Sequence, residues 1–358
     1  MKDIKKDPFD EYIKNLPPTR KELGQAWSTA IGLQDVDGLK PSEYLYETAK
    51  KNIDGEISVD EAGDLINSYY ESKDGRTEVE SRTEEADKVS ARIAKILSEK
   101  AFTFSPTQYL AIHKELFLGI FSHAGKIRDY NITKKEWVLD GDTVSYGGAL
   151  NLRETLEYDF SQEREFRYNG LTMDETIHHL AVFISRLWQI HVFGEGNTRT
   201  TAVFFIKYLR MLGFDAENDL FAENSWYFRN ALVRANYNNI KEGVYETTEF
   251  LEKFLRNLLL DEHHELHNRE MHISGKFLLG HDEPINDPIN DPIKLDEREK
   301  QIIELLREEA DLTRKEMAER LECSDSTIKR ALQSMVEKGA IKRIGSNKKG
   351  EWIILEGK

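Results

Sequence analysis

Apolar residues recur every three or four positions through most of this chain, the spacing that puts them on one face of a helix. Leu45, Ala49 and Ile53 make one such face behind Ser42, a residue suited to the N-cap. Ser58-Val-Asp-Glu61 reads as a capping box that opens the next helix. Thr83-Glu-Glu-Ala opens a third, with Val89, Ile93 and Ile96 along it, and the pattern predicts further helices over 107–117, 148–160, 173–190, 199–212, 225–240 and 245–260. One stretch breaks the period. Residues 126–146 carry β-branched and aromatic residues on both sides of Leu139-Asp-Gly-Asp142, which predicts a β-hairpin turning at Asp140-Gly141.

Past residue 260 the helical pattern lapses. Pro-Ile-Asn-Asp repeats between Glu283 and Ile293, and prolines four residues apart forbid a regular helix, so a linker is expected over 261–294. Periodicity resumes over 296–310 with Ile302, Ile303, Leu305 and Leu306, followed by the capping box Thr313-Arg-Lys-Glu316 and a short helix to 321. Ser324 caps a helix over 325–338 that Gly339 closes, and two strand-like pieces, 340–344 and 351–355, flank Gly345–Gly350. The reading is mainly α, in four segments: a small helical module over 1–72, a helical domain over 83–260, the linker, and a terminal domain over 295–358.

With 358 residues the chain is long enough for two or three domains with cores of their own. Charged residues make up 32% and hydrophobic ones 39%, as in a soluble globular protein, and no run approaches the roughly 20 apolar residues of a membrane span. The first residues, Met-Lys-Asp-Ile-Lys-Lys-Asp, show no apolar run after their charges, and Cys323 is the sole cysteine; a cytoplasmic protein without a signal peptide, disulfide or membrane is expected. A net charge of −15 argues against coating nucleic acid globally, though not against a local basic face. His263, His264 and His267 lack a second ligand pair, so a solvated face is favoured over zinc.

The densest chemistry lies in His191-Val-Phe-Gly-Glu-Gly-Asn-Thr-Arg199, between two predicted helices. A loop that opens onto a helix N-terminus presents free backbone N–H groups and the positive end of the dipole, a site for anions. Gly194 and Gly196 let backbone approach a phosphate closely. Glu195 can hold Mg²⁺ through oxygen, Arg199 can clamp a polyphosphate, and His191 has the ordinary pKa of a base near neutral pH. Together they point to phosphoryl or nucleotidyl transfer.

This loop resembles the signature of the Fic family, His-x-Phe-x-(Asp/Glu)-Gly-Asn-Gly-Arg-x-x-Arg, at His191, Phe193, Glu195, Gly196, Asn197 and Arg199. Thr198 departs from the signature glycine, and Ala202 stands where a second arginine grips the γ-phosphate. The resemblance implies a Fic-type helical core with a β-hairpin flap that transfers AMP from ATP to a Tyr, Ser or Thr hydroxyl of a target protein held along flap 126–146. It makes His191 the catalytic base and Glu195 the Mg²⁺ ligand. It assigns nucleotide contacts to Gly194, Glu195, Gly196, Asn197, Thr198 and Arg199, to Ile132, Thr133 and Lys134 on the flap, and to Tyr227 and Asn236 beside the adenosine.

Residues 37–70 resemble the family's antitoxin-like module, whose Ser/Thr-x-x-x-Glu-Gly glutamate blocks the second arginine. Leu33-x-x-x-Asp37-Gly38 offers no hydroxyl and a shorter acid, which makes Asp37 a candidate inhibitory residue facing no arginine at 202; Ser81-x-x-x-Glu85 is its rival. Residues 295–358 look like a winged helix-turn-helix, with Ser326, Thr327, Lys329, Arg330, Lys348 and Lys349 as candidate DNA contacts. Alternatives stay open: a DNA-binding regulator whose degenerate Fic domain senses a nucleotide, transfer of another phosphate-containing group, or removal of AMP. The sequence also leaves a homo-oligomer open.

Overall fold

Capping residues set where the helices begin. In the computed structural model, which describes residues 8–72, 77–216, 219–274, 297–308, 312–321, 323–337, 341–346 and 349–354, the Ser58, Thr77, Thr172 and Thr313 side chains each cap a helix reciprocally with a glutamate three residues on. The chain divides into two compact units, Met1–His281 and Asp282–Lys358.

Among its described residues the first unit is built from helices joined by loops. Its helices are α1 (Pro8–Lys14), α2 (Pro18–Gly32), α3 (Glu43–Ile53), α4 (Val59–Glu71), α5 (Glu78–Ser98), α6 (Pro106–Phe117), α7 (Leu152–Glu165), α8 (Met173–Ile190), α9 (Asn197–Met211), α10 (Leu220–Glu223), α11 (Ser225–Arg234), α12 (Glu249–Leu260) and α13 (Asn268–Met271). Helix α5 starts before the expected Thr83 because the Thr77–Glu80 capping box lies upstream. Helix α9 is buried on every side from Asn197 to Leu209, so it runs through the middle of the unit. Trp27 and Leu33 share one continuous core with Val89, Ile93, Phe193 and Phe204, which joins residues of the first segment to those of the signature loop. Asp87 on α5 ties the segments further, accepting from Ser42 N at 2.8 Å and from the Tyr70 hydroxyl at 2.7 Å.

The expected β-hairpin at 126–146 is not there: none of those residues forms a strand. A ladder would expose one face of the pair, whereas Val138, Leu139 and Val144 are all buried, with residues Trp137–Leu139 in a 3₁₀ turn. The segment folds inward around Glu136, whose buried carboxylate accepts from the Tyr146 hydroxyl at 2.8 Å and pairs with Arg229 at 2.7 Å. Asp142 is drawn off toward the Tyr237 hydroxyl at 2.6 Å. Residues 131–135 form no regular element, with Asn131, Thr133 and Lys135 exposed in alternation.

The second unit has its own core, in which Ile302, Leu306, Met317, Ile328, Leu332 and Met335 pack together. It comprises α14 (Glu297–Glu308), α15 (Arg314–Arg320), α16 (Asp325–Glu337) and the antiparallel strands β1 (Ile341–Ser346) and β2 (Lys349–Ile354), with Ser346 opposite Lys349. The proline repeat, Gly339 and Lys348 lie outside the described residues.

Candidate active site

Helix α8 ends abruptly at His191. That residue takes left-handed backbone (φ 51, ψ 55), uncommon for a residue with a Cβ, and its N–H donates to Trp188 O at 3.0 Å. Asn197 then closes the loop on itself: its Oδ1 accepts from Phe193 N at 3.0 Å and its Nδ2 donates to Phe193 O at 2.8 Å. Gly196 caps α9 at φ 73, and a Cβ there would meet the Phe117 ring at 2.4 Å, so only glycine fits. With glycine in that place no side chain caps α9, and its first backbone N–H groups stay available to an anion. Thr198, where the signature has glycine, accepts the Trp188 indole N–H at 3.0 Å and so gains a structural task.

His191 is buried, yet its two nitrogens differ. Nδ1 lies 3.3 Å from Trp188 O, which places the proton there, whereas Nε2 is buried with no hydrogen-bond partner. Rings of Tyr146 and Trp188 lie 4.3 Å and 5.2 Å from the imidazole. Burial pushes the His191 pKa well below 6.5, and the positive charges of Lys134, Arg229 and Arg128 push the same way. At neutral pH the group is therefore a neutral imidazole with its Nε2 lone pair free.

Glu195 points outward, its side chain 58% exposed, with Oε2 at 3.3 Å from Lys134 Nζ. Its backbone is fixed from behind by His113, which stacks on Phe193 at 3.7 Å between ring centroids. His113 Nδ1 accepts from Gly125 N at 2.8 Å, which leaves Nε2 to donate to Glu195 O at 3.0 Å. Burial lowers the His113 pKa to about 4. Among the described residues no group of three or more His, Cys, Asp or Glu side chains is set to hold a metal. The donor set at Glu195, one accessible carboxylate near the uncapped start of α9, fits Mg²⁺ of the kind completed by phosphates and water.

Arg199 faces the other way. Nη1 donates to Gln34 Oε1 at 3.0 Å and Nη2 to Glu85 Oε1 at 2.7 Å, and Nε forms an ion pair with Asp37 Oδ2 at 2.7 Å. The Phe117 ring lies 4.8 Å beneath the guanidinium. Asp37 does face an arginine, but it is Arg199. It shares that cation with its rival Glu85, so the two acids act on one group. Arg82 holds the turn by donating to Asp37 O at 3.0 Å. Ala202 is fully buried, so the place of the second signature arginine is filled by core packing.

The site thus combines a free imidazole nitrogen, an exposed carboxylate and an uncapped helix start on one short loop, and residues 103–209 match the Fic/DOC family. They form a Fic domain. Residues 295–342 match a winged helix-turn-helix DNA-binding family, and they form that fold. The N-terminal FIC domain of Bep8 protein, a VirB-translocated Bartonella effector protein from Bartonella sp. 1-1C, is similar at 17% identity, with a TM-score of 0.41 over 52% of this chain and 88% of that one. A Fic family protein from Desulfovibrio desulfuricans G20 is similar at 13% identity, with a TM-score of 0.45 over 95% of this chain and 89% of that one. No curated protein matches the chain. No helix among the described residues is long and apolar enough to cross a membrane.

The Fic domain brings Glu195 and Lys134 together, and Gly194 lies against the flap, where an added Cβ would meet the Tyr130 hydroxyl at 2.6 Å. Ile132 is half-buried and Thr133 exposed beside it. Tyr227 is buried and donates to Phe250 O at 3.2 Å, and Asn236 donates to Ser185 O and Leu232 O, both at 2.9 Å, so both polar groups serve helix packing. Sequence reasoning passed over Gln34, His113 and Arg128. His113 lies within the apolar period of α6, and the signal that marks it is a titratable ring on a buried face.

Proposed function

We propose that this chain is a cytoplasmic protein adenylyltransferase that transfers AMP from ATP to a Tyr, Ser or Thr hydroxyl, with its own hydroxyls included among the acceptors. The observation that carries this reading is His191 Nε2, a neutral buried nitrogen with no partner, set six residues ahead of Asn197, where α9 starts uncapped. In the proposed step Nε2 takes the proton of the target hydroxyl, and the resulting oxygen bonds to the α-phosphorus. The bond from that phosphorus to the bridging oxygen breaks, and pyrophosphate leaves. The N–H groups opening α9 bind the phosphates, with donors preorganised where charge develops. Asn197 braces the loop through Phe193. Glu195 would hold Mg²⁺, which when bound offsets phosphate charge. The run 131–135, with exposed alternate residues, suits pairing with a target peptide along the flap.

Arg199 reaches a phosphate only after leaving Gln34, Asp37 and Glu85, so the arrangement described is read as a restrained state, with Asp37 and Glu85 as the inhibitory groups. The second reading, a DNA-binding regulator that senses a nucleotide, draws on the same restraint together with the winged helix and the buried Ala202.

Purified full-length protein incubated with α-³²P-ATP and Mg²⁺ tests the proposal. Label retained on protein, lost in His191→Ala and absent when γ-³²P-ATP is used, is the expected result. The absence of label, including with both inhibitory acids neutralised, overturns transfer; an ATP-dependent change in DNA affinity would then establish the sensor.

A further inference from the structure

Arg128 is a 5%-exposed cation whose hydrogen-bond acceptors are backbone carbonyls rather than a carboxylate. Its Nε donates to His191 O at 2.7 Å, and Nη2 donates to Gly147 O at 2.5 Å and to Ile190 O at 3.4 Å. Nη1 donates to Tyr130 O, and the Arg128 backbone N–H donates to Val192 O at 2.9 Å. One side chain therefore joins three passages of chain: the start of the flap, its end at Gly147, and the backbone from Ile190 to Val192. Gly147 is fitted to the same junction. Its N–H donates to Gln189 O at 3.2 Å, and a Cβ on it would lie 2.8 Å from Ile190 O.

These carbonyls would otherwise be left unsatisfied where α8 breaks off. Left-handed backbone at a residue with a Cβ persists only where the surroundings over-determine it. A planar guanidinium can bond several carbonyls in fixed directions at once, which a single ammonium cannot. We propose that Arg128 is a positioning residue for His191: its fork holds the base in left-handed backbone and fixes the direction of Nε2 relative to the flap. Arg128 touches no reacting atom. It acts through the His191 carbonyl and through the flap ends that frame the acceptor hydroxyl. The kinetic consequence rests on the transfer reading above; the geometric one does not.

The test uses full-length Arg128→Lys, which keeps the charge and loses the fork. Under the transfer reading, kcat for AMP transfer falls tenfold or more while KM for ATP stays within twofold, since the α9 anion site is untouched. Gly147→Ala disturbs the same junction with Arg128 intact and should show the same split, so the proposal stays testable if Arg128→Lys folds poorly. The His191 imidazole ¹⁵N and ¹³C resonances, assigned by comparison with His191→Gln, should shift in both variants while the other histidines hold still. That readout needs no activity: if wild-type protein transfers no AMP, the transfer reading fails and the resonances alone decide the role of Arg128. Unchanged His191 resonances overturn the proposal. So does a kcat within twofold of wild type in a variant of an active protein, or equal losses in kcat and ATP affinity, which would mark Arg128 as general scaffold.

Discussion

At His191 burial holds an ordinary histidine neutral, on a left-handed backbone at the end of α8. With its Nδ1 proton directed at Trp188 O and its pKa held well below 6.5, it is unprotonated across the whole neutral range. Its replacement by alanine should lower AMP transfer by about 10²–10⁴-fold, the usual contribution of a general base, with ATP affinity nearly unchanged; wild-type rates in that variant would remove it from the mechanism. Because the shift is downward, the acid limb of kcat/KM should lie below pH 6.5, and a limb at or above that value would contradict the burial. His113 carries a stability consequence of the same sign. Its folded pKa of about 4 lies below the unfolded 6.5, so the unfolded chain binds more protons between those values and stability falls as pH drops from 6.5 toward 4. The full loss is about 3 kcal/mol from roughly 1.4 kcal/mol per pKa unit. Urea midpoints across that range should show His113→Gln with a shallower decline than wild type. At this scale the sequence was legible in one loop: His191 and Glu195 lie between the end of α8 and the start of α9, where the spacing put them. Asn197 carries a task that its spacing does not reveal, since its amide closes the loop through Phe193.

At the scale of elements, the informative contact is one that local pattern cannot reveal. Gln34 meets Arg199 across 165 residues and Glu85 meets it across 114, so the partner of the signature arginine is a product of packing the 3₁₀ turn Leu33–Asp37 and α5 against α9. From the sequence, Asp37 had no arginine to reach and only weak inhibition was expected. The structure places it on Arg199, 2.7 Å away, and that changes the prediction. A hydrogen bond to a charged group contributes about 1.5–3 kcal/mol, so loss of the Glu85 bond together with the Asp37 ion pair should free Arg199 by tenfold or more in transfer rate. Asp37→Asn with Glu85→Gln in the full-length chain tests this by initial rates at matched protein concentration. A change below twofold would show that Arg199 is not the restrained group. The flap teaches the converse lesson. Its β-branched and aromatic residues satisfied the hairpin pattern, yet Val138, Leu139 and Val144 are buried around the Glu136–Arg229 pair. Composition marked the break in the helical period and could not say whether the apolar side chains face a partner strand or the core.

At the scale of the molecule, a chain with a net charge of −15 carries a unit whose fold is that of DNA-binding winged helices. The two facts are compatible because binding depends on the local face. On α16, Ile328, Leu332 and Met335 turn into the core, which leaves Ser324, Ser326, Lys329, Arg330 and Gln333 exposed on the other side, with Thr327 half-buried between them. That is the division of labour expected of a helix that enters a major groove. The strands β1 and β2 present Lys349 opposite Ser346, at the end of the wing. The periodicity of 325–338 made this legible, since a helix with one apolar stripe and basic residues off it has only one way to face its core. Replacing Lys329 and Arg330 together by alanine in the full-length protein should therefore weaken duplex DNA binding and flatten its salt dependence. Each lost phosphate contact removes about 0.9 from the slope of log affinity against log salt. Lys241→Ala, an exposed charge in the other unit, serves as the control and should leave both quantities unchanged. Fluorescence anisotropy over a salt series, first with random-sequence duplex and then with DNA upstream of the protein's own coding sequence, provides the measurement. Equal slopes for wild type and the double variant would mean that this face of α16 does not meet phosphate, and the winged helix would then be a protein-contact module.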